Sequence, residues 1–278
     1  MAQKGMNIMP DVNYMKQLAE QFEKGQLKIL GDEEHFEFAC DQCGKCCRNR
    51  SDIILNPLDI FHLRLATGKT CKEIVDKYGE CYLGPSSHLP LVRLKYREEF
   101  DGQTTCYFLG RRDGKFFCRV HEYKPGVCRT YPLGKITAAA KDGDPLLAPS
   151  YFLQEEDDTN CAGLRRAHRE HINQKVIDWV GGSERKRVSN IYGDIFSEFT
   201  KVYGKFFDKH KRFERLDPAS QAVLVGALGK MLYLEYDDCK TDDEFLERFR
   251  FFMELAKELC QQVQQDPKYI VKLARAAS

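Results

Sequence analysis

The sequence lacks any apolar run near the roughly 20 residues that a membrane-crossing helix needs, so no span is expected. Its first residues, "MAQKGMNIMPDVNY", lack the apolar core of a secretory leader. Net charge is nearly absent, +1 over 278 residues. No global field therefore points to nucleic acid or to an anionic membrane surface. Also missing are a Gly-x-Gly-x-x-Gly cofactor loop after a strand, the Cys-x3-Cys-x2-Cys spacing of radical enzymes, internal repeats and low-complexity linkers. These absences leave a cytoplasmic, reducing compartment as the expectation. They lower the case for an enzyme without closing it.

What the chain has is cysteine, twelve in all. In a reducing compartment clustered thiols more often bind metal or do redox chemistry than form disulfides. Ten of the twelve lie between Cys40 and Cys161, and the last 117 residues hold only Cys239 and Cys260. The densest stretch is "CDQCGKCCRNR" at 40–50. Later come "CYFLGRRDGKFFCRVHEYKPGVCRTYPLG", with Cys106, Cys118, His121 and Cys128, and "TNCAG" with Cys161.

Thiolates are soft ligands suited to zinc and to iron–sulfur clusters. Cys40, Cys43 and Cys46 form Cys-x2-Cys-x2-Cys, the run that bacterial ferredoxins use for three corners of a cubane cluster. Gly44 permits positive φ inside the loop. Adjacent Cys46 and Cys47 are harder to aim at one centre, because neighbours in extended backbone point apart. Two centres, or one ligand beside an outer thiol, would each explain the pair. The expected metal ligands are Cys40, Cys43, Cys46, Cys47, Cys106, Cys118, Cys128 and Cys161, holding a 4Fe–4S cluster or zinc in one or two centres. Substitution of Cys47 is expected to matter less than that of Cys46. Cys118-x2-His121 has zinc-ligand spacing, but the balance is against His121 as a direct ligand. Cys71, Cys81, Cys239 and Cys260 read as small core residues.

From Cys106 to Lys135 seven Lys or Arg face Asp113 and Glu122, a local excess of +5. Such cations would lower thiol pKa values, or make a solvated basic face. Of Phe116 and Phe117, alternation places at least one in a core.

Around the cysteines the fold reads as α+β: a small mixed metal-stapled domain of short strands, then a helical bundle. A helix is expected from Asp11 to about Leu30, and a short strand in "EHFEFAC". Asn56, Pro57 and Gly68 mark a helix by capping and termination signals. Thr70 and Glu73 have capping-box spacing ahead of another. "LPLVRLKY", "KFFCRV", "GKITAAA" and "LLAPSYFL" read as strands. "LRRAHREHINQKVIDWV" reads as one helix, followed by long helices over about 183–210, 218–238 and 241–265. The expected division is 1–30, 31–165 and 166–278.

The cysteine pattern resembles the YkgJ-type cysteine-cluster family, over about residues 36–165. Cys40, Cys43, Cys46, Cys47, Cys106, Cys118 and Cys128 match its cysteines. Glu122, Pro125, Arg129, Tyr131 and Pro132 match its flanks. His121 stands where the family often has Tyr, and Lys124 where it often has Arg. The resemblance implies zinc or iron chelation, and a redox or metal-handling role with an unidentified protein or redox partner. A related pattern in flagellin lysine N-methylases implies protein modification as one alternative. Structural zinc supporting a protein-interaction module is another.

Overall fold

Hydrophobic side chains in this chain collect in two places, and each builds a compact unit from two separate stretches. One unit comprises residues 1–53 and 96–186, the other residues 54–95 and 187–278. The computed structural model describes residues 20–21, 24, 28–50, 53–85, 87–100, 102–136, 150–154, 161–208, 212–266 and 268–270. The architecture is mixed α+β, with short strands in small sheets and long helices in the C-terminal half. Most of the helix expected over 11–30 lies outside the described residues; Glu20 and Gln21 are helical, but Ile29–Leu30 is a strand.

The first unit carries the cysteine loop. Its main sheet sets Ser150–Leu153 between Ile29–Leu30 and Leu133–Ile136, all antiparallel. His35–Glu37 pairs with Asn173–Lys175. Two further antiparallel pairs, Tyr96–Glu98 with Thr104–Cys106 and Leu109–Arg112 with Lys115–Cys118, stand nearest the thiols in sequence. Leu30, Phe36, Phe38, Leu133, Tyr151 and Val176 form the core. Trp179 packs edge-on to Phe38 at 5.1 Å and to Phe36 at 6.0 Å. Its indole N–H donates to the Thr130 and Tyr131 carbonyls at 3.1 and 3.2 Å, so its polar edge is satisfied inside the core.

"LRRAHREHINQKVIDWV" is not one helix. It breaks into helix Ala162–Glu170, strand Asn173–Lys175 and helix Val176–Trp179. His171 takes a left-handed conformation (φ 53°) that ends the first piece. The Ile172 carbonyl then accepts from Phe38 N–H at 3.1 Å. Pairing with the strand His35–Glu37 outweighs continued helical periodicity, and this segment joins the cysteine unit rather than the helical one.

The second unit explains residues 54–95. Asn56 and Thr70 close the capping boxes expected of them, with Asn56 Oδ1 accepting from Asp59 N–H at 2.9 Å and Thr70 Oγ1 from Glu73 N–H at 3.1 Å. Helices Pro57–Thr67 and Cys71–Tyr78 follow. A three-stranded sheet places Pro90–Leu94 between Ile54–Leu55 and Gly79–Leu83. Helix Gly182–Asp208 from Arg187 onward, with helices Pro218–Tyr233 and Asp242–Gln265, supplies the rest. The Phe61 and Phe245 rings stack at 4.9 Å, and the Arg64 guanidinium reaches the Tyr236 carbonyl at 3.2 Å. The two units interleave along the sequence, where the expected division at 165/166 is contiguous. Pro57–Thr67 follows the cysteine loop in sequence but buries its apolar face with the C-terminal helices.

Candidate metal centre

The loop 40–49 is held at both ends by backbone. At its start, Ala39 N–H donates to the Gly163 carbonyl at 3.2 Å. A Cβ on Gly163 would lie 2.5 Å from the Ala39 carbonyl oxygen, so this contact needs glycine. Asp41 and Arg166 form an ion pair beside it. Both anchors sit in the first turn and a half of helix Ala162–Glu170, directly after Cys161. At its far end, Arg48 bridges to Thr105. Asn49 N–H donates to the Thr104 carbonyl at 2.8 Å, and Asn49 Oδ1 accepts from Thr104 N–H at 2.9 Å. That end is fixed next to Cys106.

Between the anchors the chain folds tightly. Gln42 has φ 51° and Gly44 φ 70°. The Gln42 carbonyl accepts from Phe116 N–H at 2.9 Å. A Cβ on Gly44 would meet Phe116 Cγ at 2.9 Å. A single 3-10 turn, Lys45–Cys47, then brings the Cys46 and Cys47 sulfurs to 3.9 Å. The Arg48 guanidinium lies over the Phe116 ring at 4.2 Å.

The other thiols arrive on separate elements. Cys106 ends a strand opposite Tyr96. Cys118 returns on the hairpin paired to Leu109, turned by Asp113 and Gly114 at φ 49° and 78°. Cys128 lies on the short helix Gly126–Thr130, and Cys161 caps the helix Ala162–Glu170. Cys40, Cys43 and Cys46 are exposed, Cys47, Cys118, Cys128 and Cys161 half-buried, and Cys106 buried.

Electrostatics report which thiols are neighbours. Although Cys40 reaches solvent, protein packed around it strips enough water to raise its thiol pKa, and charge on Cys46, Cys161 or Cys43 raises it further. Cys46 is pulled down, first by the hydrogen bond from Cys47, then by the positive charges of Lys124 and Arg50. Cys47 is pushed up because its proton is held against Cys46, then by burial and by the thiols of Cys46, Cys106 and Cys128. Burial raises Cys106 to about 11, with Cys118 adding to it. Burial raises Cys118, Lys124 and Arg129 pull it back, and charge on Cys46 raises it further. These links run in a chain: Cys43, Cys46 and Cys161 neighbour Cys40, Cys106 and Cys128 neighbour Cys47, and Cys118 neighbours Cys106 and Cys46. Among the described residues, no three Cys, His, Asp or Glu side chains already stand as a formed metal site. Chemically the donor set fits a thiophilic metal: all the donors are thiols, and two cations favour thiolate at Cys46.

Sequence reasoning missed Tyr96. Its phenol is raised by burial and by the thiols of Cys106, Cys128 and Cys47, so it lies beside that group; in "LPLVRLKY" it reads only as a strand end. His121 is exposed. Arg129 spends its guanidinium on the His121 and Glu122 carbonyls, which ties the segment 121–129 together. Of the basic excess, Lys124 and Arg129 face thiols, while Arg111, Arg112, Lys115 and Arg119 are a solvated face. Phe116 is half-buried and Phe117 is 36% exposed, so neither is core. Cys71, Cys239 and Cys260 are buried as expected, but Cys81 is exposed on strand Gly79–Leu83 rather than packed.

A thiol-lined loop of this kind defines a cysteine-rich chelating module. Residues 39–145 match the CxxCxxCC family, described as "Putative zinc- or iron-chelating domain". The match covers the same cysteine motifs that the sequence shows between Cys40 and Cys128. No curated protein and no solved structure matches the chain. Among the described residues no helix is long and apolar enough to cross a membrane.

Proposed function

We propose that the cysteine unit holds a thiolate-ligated centre, a 4Fe–4S cluster in preference to zinc, and that the chain serves electron transfer or metal handling with a protein partner. The carrying observation is the Cys46–Cys47 turn, with its sulfurs 3.9 Å apart, in a unit that holds the six other expected ligands. The Cys-x2-Cys-x2-Cys run favours a cluster. Such a cluster supplies one-electron chemistry when bound. The chain's part is to present thiolates, hold positive charge from Lys124 and Arg50 beside Cys46, and set the Tyr96 phenol beside Cys47, Cys106 and Cys128. Cations near the thiols also offset the negative charge that four thiolates bring.

A second reading, structural zinc, has its own support. No described strand of the cysteine unit exceeds four residues, and metal binding can supply roughly 10–16 kcal/mol to a small domain. The full chain, purified without oxygen, separates the two. A broad visible band that bleaches on reduction, with about four iron and four sulfide per centre, is expected. Colourless protein with tightly held zinc would sink the redox reading and leave the staple.

A further inference from the structure

We propose that the eight thiols form two four-thiolate centres, Cys40, Cys43, Cys46 and Cys161 in one and Cys47, Cys106, Cys118 and Cys128 in the other, with the 46–47 peptide as the seam. This rests on the metal-binding reading above and says how the ligands are shared.

The argument is one of scaffold. The two ends of the loop are pinned to different elements. Ala39 and Asp41 are fixed to Gly163 and Arg166, which sets the Cys40 end beside Cys161. Arg48 and Asn49 are fixed to Thr105 and Thr104, which sets the Cys47 end beside Cys106. The hairpin returns Cys118 to the same place, since Arg119 N–H donates to the Phe108 carbonyl at 2.8 Å. Phe108 N–H in turn points at the Cys106 sulfur, 3.4 Å away. Tyr96, opposite Cys106 in register, lies beside Cys47, Cys106 and Cys128 and marks the second group. Cys40 has Cys43, Cys46 and Cys161 among its thiol neighbours. Cys118 has both Cys106 and Cys46 close to it; its strand, paired to Leu109, assigns it to the Cys106 group. Cys161 lies beyond residue 145, where the family match ends, so one centre would draw its fourth ligand from outside the matched domain.

The competing arrangement is a single ion on both Cys46 and Cys47. Their 3.9 Å separation is near the edge of a zinc–thiolate tetrahedron built on ~2.3 Å bonds, so the test must separate the two. The full chain is purified without oxygen, bound iron, sulfide and zinc are counted, and unprotected thiols are alkylated and mapped by mass spectrometry. Wild type is expected to carry two centres. Cys161→Ser should lose half the metal and expose Cys40, Cys43 and Cys46 while the other four stay protected. Cys106→Ser should lose the other half and expose Cys47, Cys118 and Cys128. Cys46→Ser and Cys47→Ser should each cost half.

Loss of all metal in either Cys46→Ser or Cys47→Ser, or no loss in Cys161→Ser, overturns the partition while leaving metal binding intact. Wild type without bound metal overturns both readings. If a variant fails to fold by far-ultraviolet circular dichroism, stepwise chelation of wild type replaces it. Thiols should then open in two groups of four; all eight opening together refutes the partition.

Discussion

Cys46 and Cys47 are chemically unequal although they are neighbours. The hydrogen bond between them, with Lys124 and Arg50 nearby, lowers Cys46 and raises Cys47. A lowered pKa means thiolate persists to lower pH, and thiolate is the reactive form. In the metal-free chain, Cys46 is therefore expected to alkylate faster than Cys47 at neutral pH. Its rate should fall only as pH drops through its lowered value, whereas Cys47 should need alkaline conditions. Lys124→Ala removes one cause and should move the Cys46 profile to higher pH. Labelling followed by peptide mass spectrometry across pH reads both; equal profiles for the two cysteines would refute the asymmetry.

At the scale of elements, the loop depends on two close approaches. Gly44 has φ 70° with Phe116 against it, and Gly163 abuts the Ala39 carbonyl. Gly44→Ala should cost about 1–2 kcal/mol from the left-handed conformation alone. Gly163→Ala meets backbone, and overpacking of that kind costs roughly 1–3 kcal/mol. Both should weaken metal retention, measured by competition with a chelator. The helices of the other unit give the control. Asn56→Ala and Thr70→Ala remove capping oxygens and should each cost about 1 kcal/mol in denaturant unfolding, with metal content unchanged.

These same elements show what the sequence could tell. Caps were legible because they are local: Asn56, Thr70 and Gly68 act on residues within four positions. Spacing likewise picked out eight thiols, all of which lie in the cysteine unit. Asp41, Arg166, Gly163 and Tyr96 were not legible, since their roles depend on partners far away in sequence. The break at His171 was missed because the pattern of "LRRAHREHINQKVIDWV" is helical, and only the pairing of Asn173–Lys175 with His35–Glu37 overrides it.

For the whole molecule, each unit has its own core, and only one carries the thiol neighbourhood. Metal removal should therefore be felt unevenly. Chelation of the full chain is expected to leave most of the helical circular dichroism, because Gly182–Asp208, Pro218–Tyr233 and Asp242–Gln265 pack through Phe199, Phe245 and Phe249, which are fully buried. Limited proteolysis should instead open cuts within residues 40–50 and 96–130, the parts of that range in the cysteine unit. Early cuts in the long C-terminal helices would contradict this.

Because each unit is sewn from two separate stretches, neither can close early in synthesis. The loop ending at Cys47 leaves the ribosome 114 residues before Cys161, an interval of roughly 6–20 seconds at ordinary elongation rates. Helix Pro57–Thr67 waits longer still for Phe245. Any centre that uses Cys161 is thus completed late. Through that interval the nascent chain carries four bare thiols in eight residues, open to oxidation or to a carrier that delivers metal.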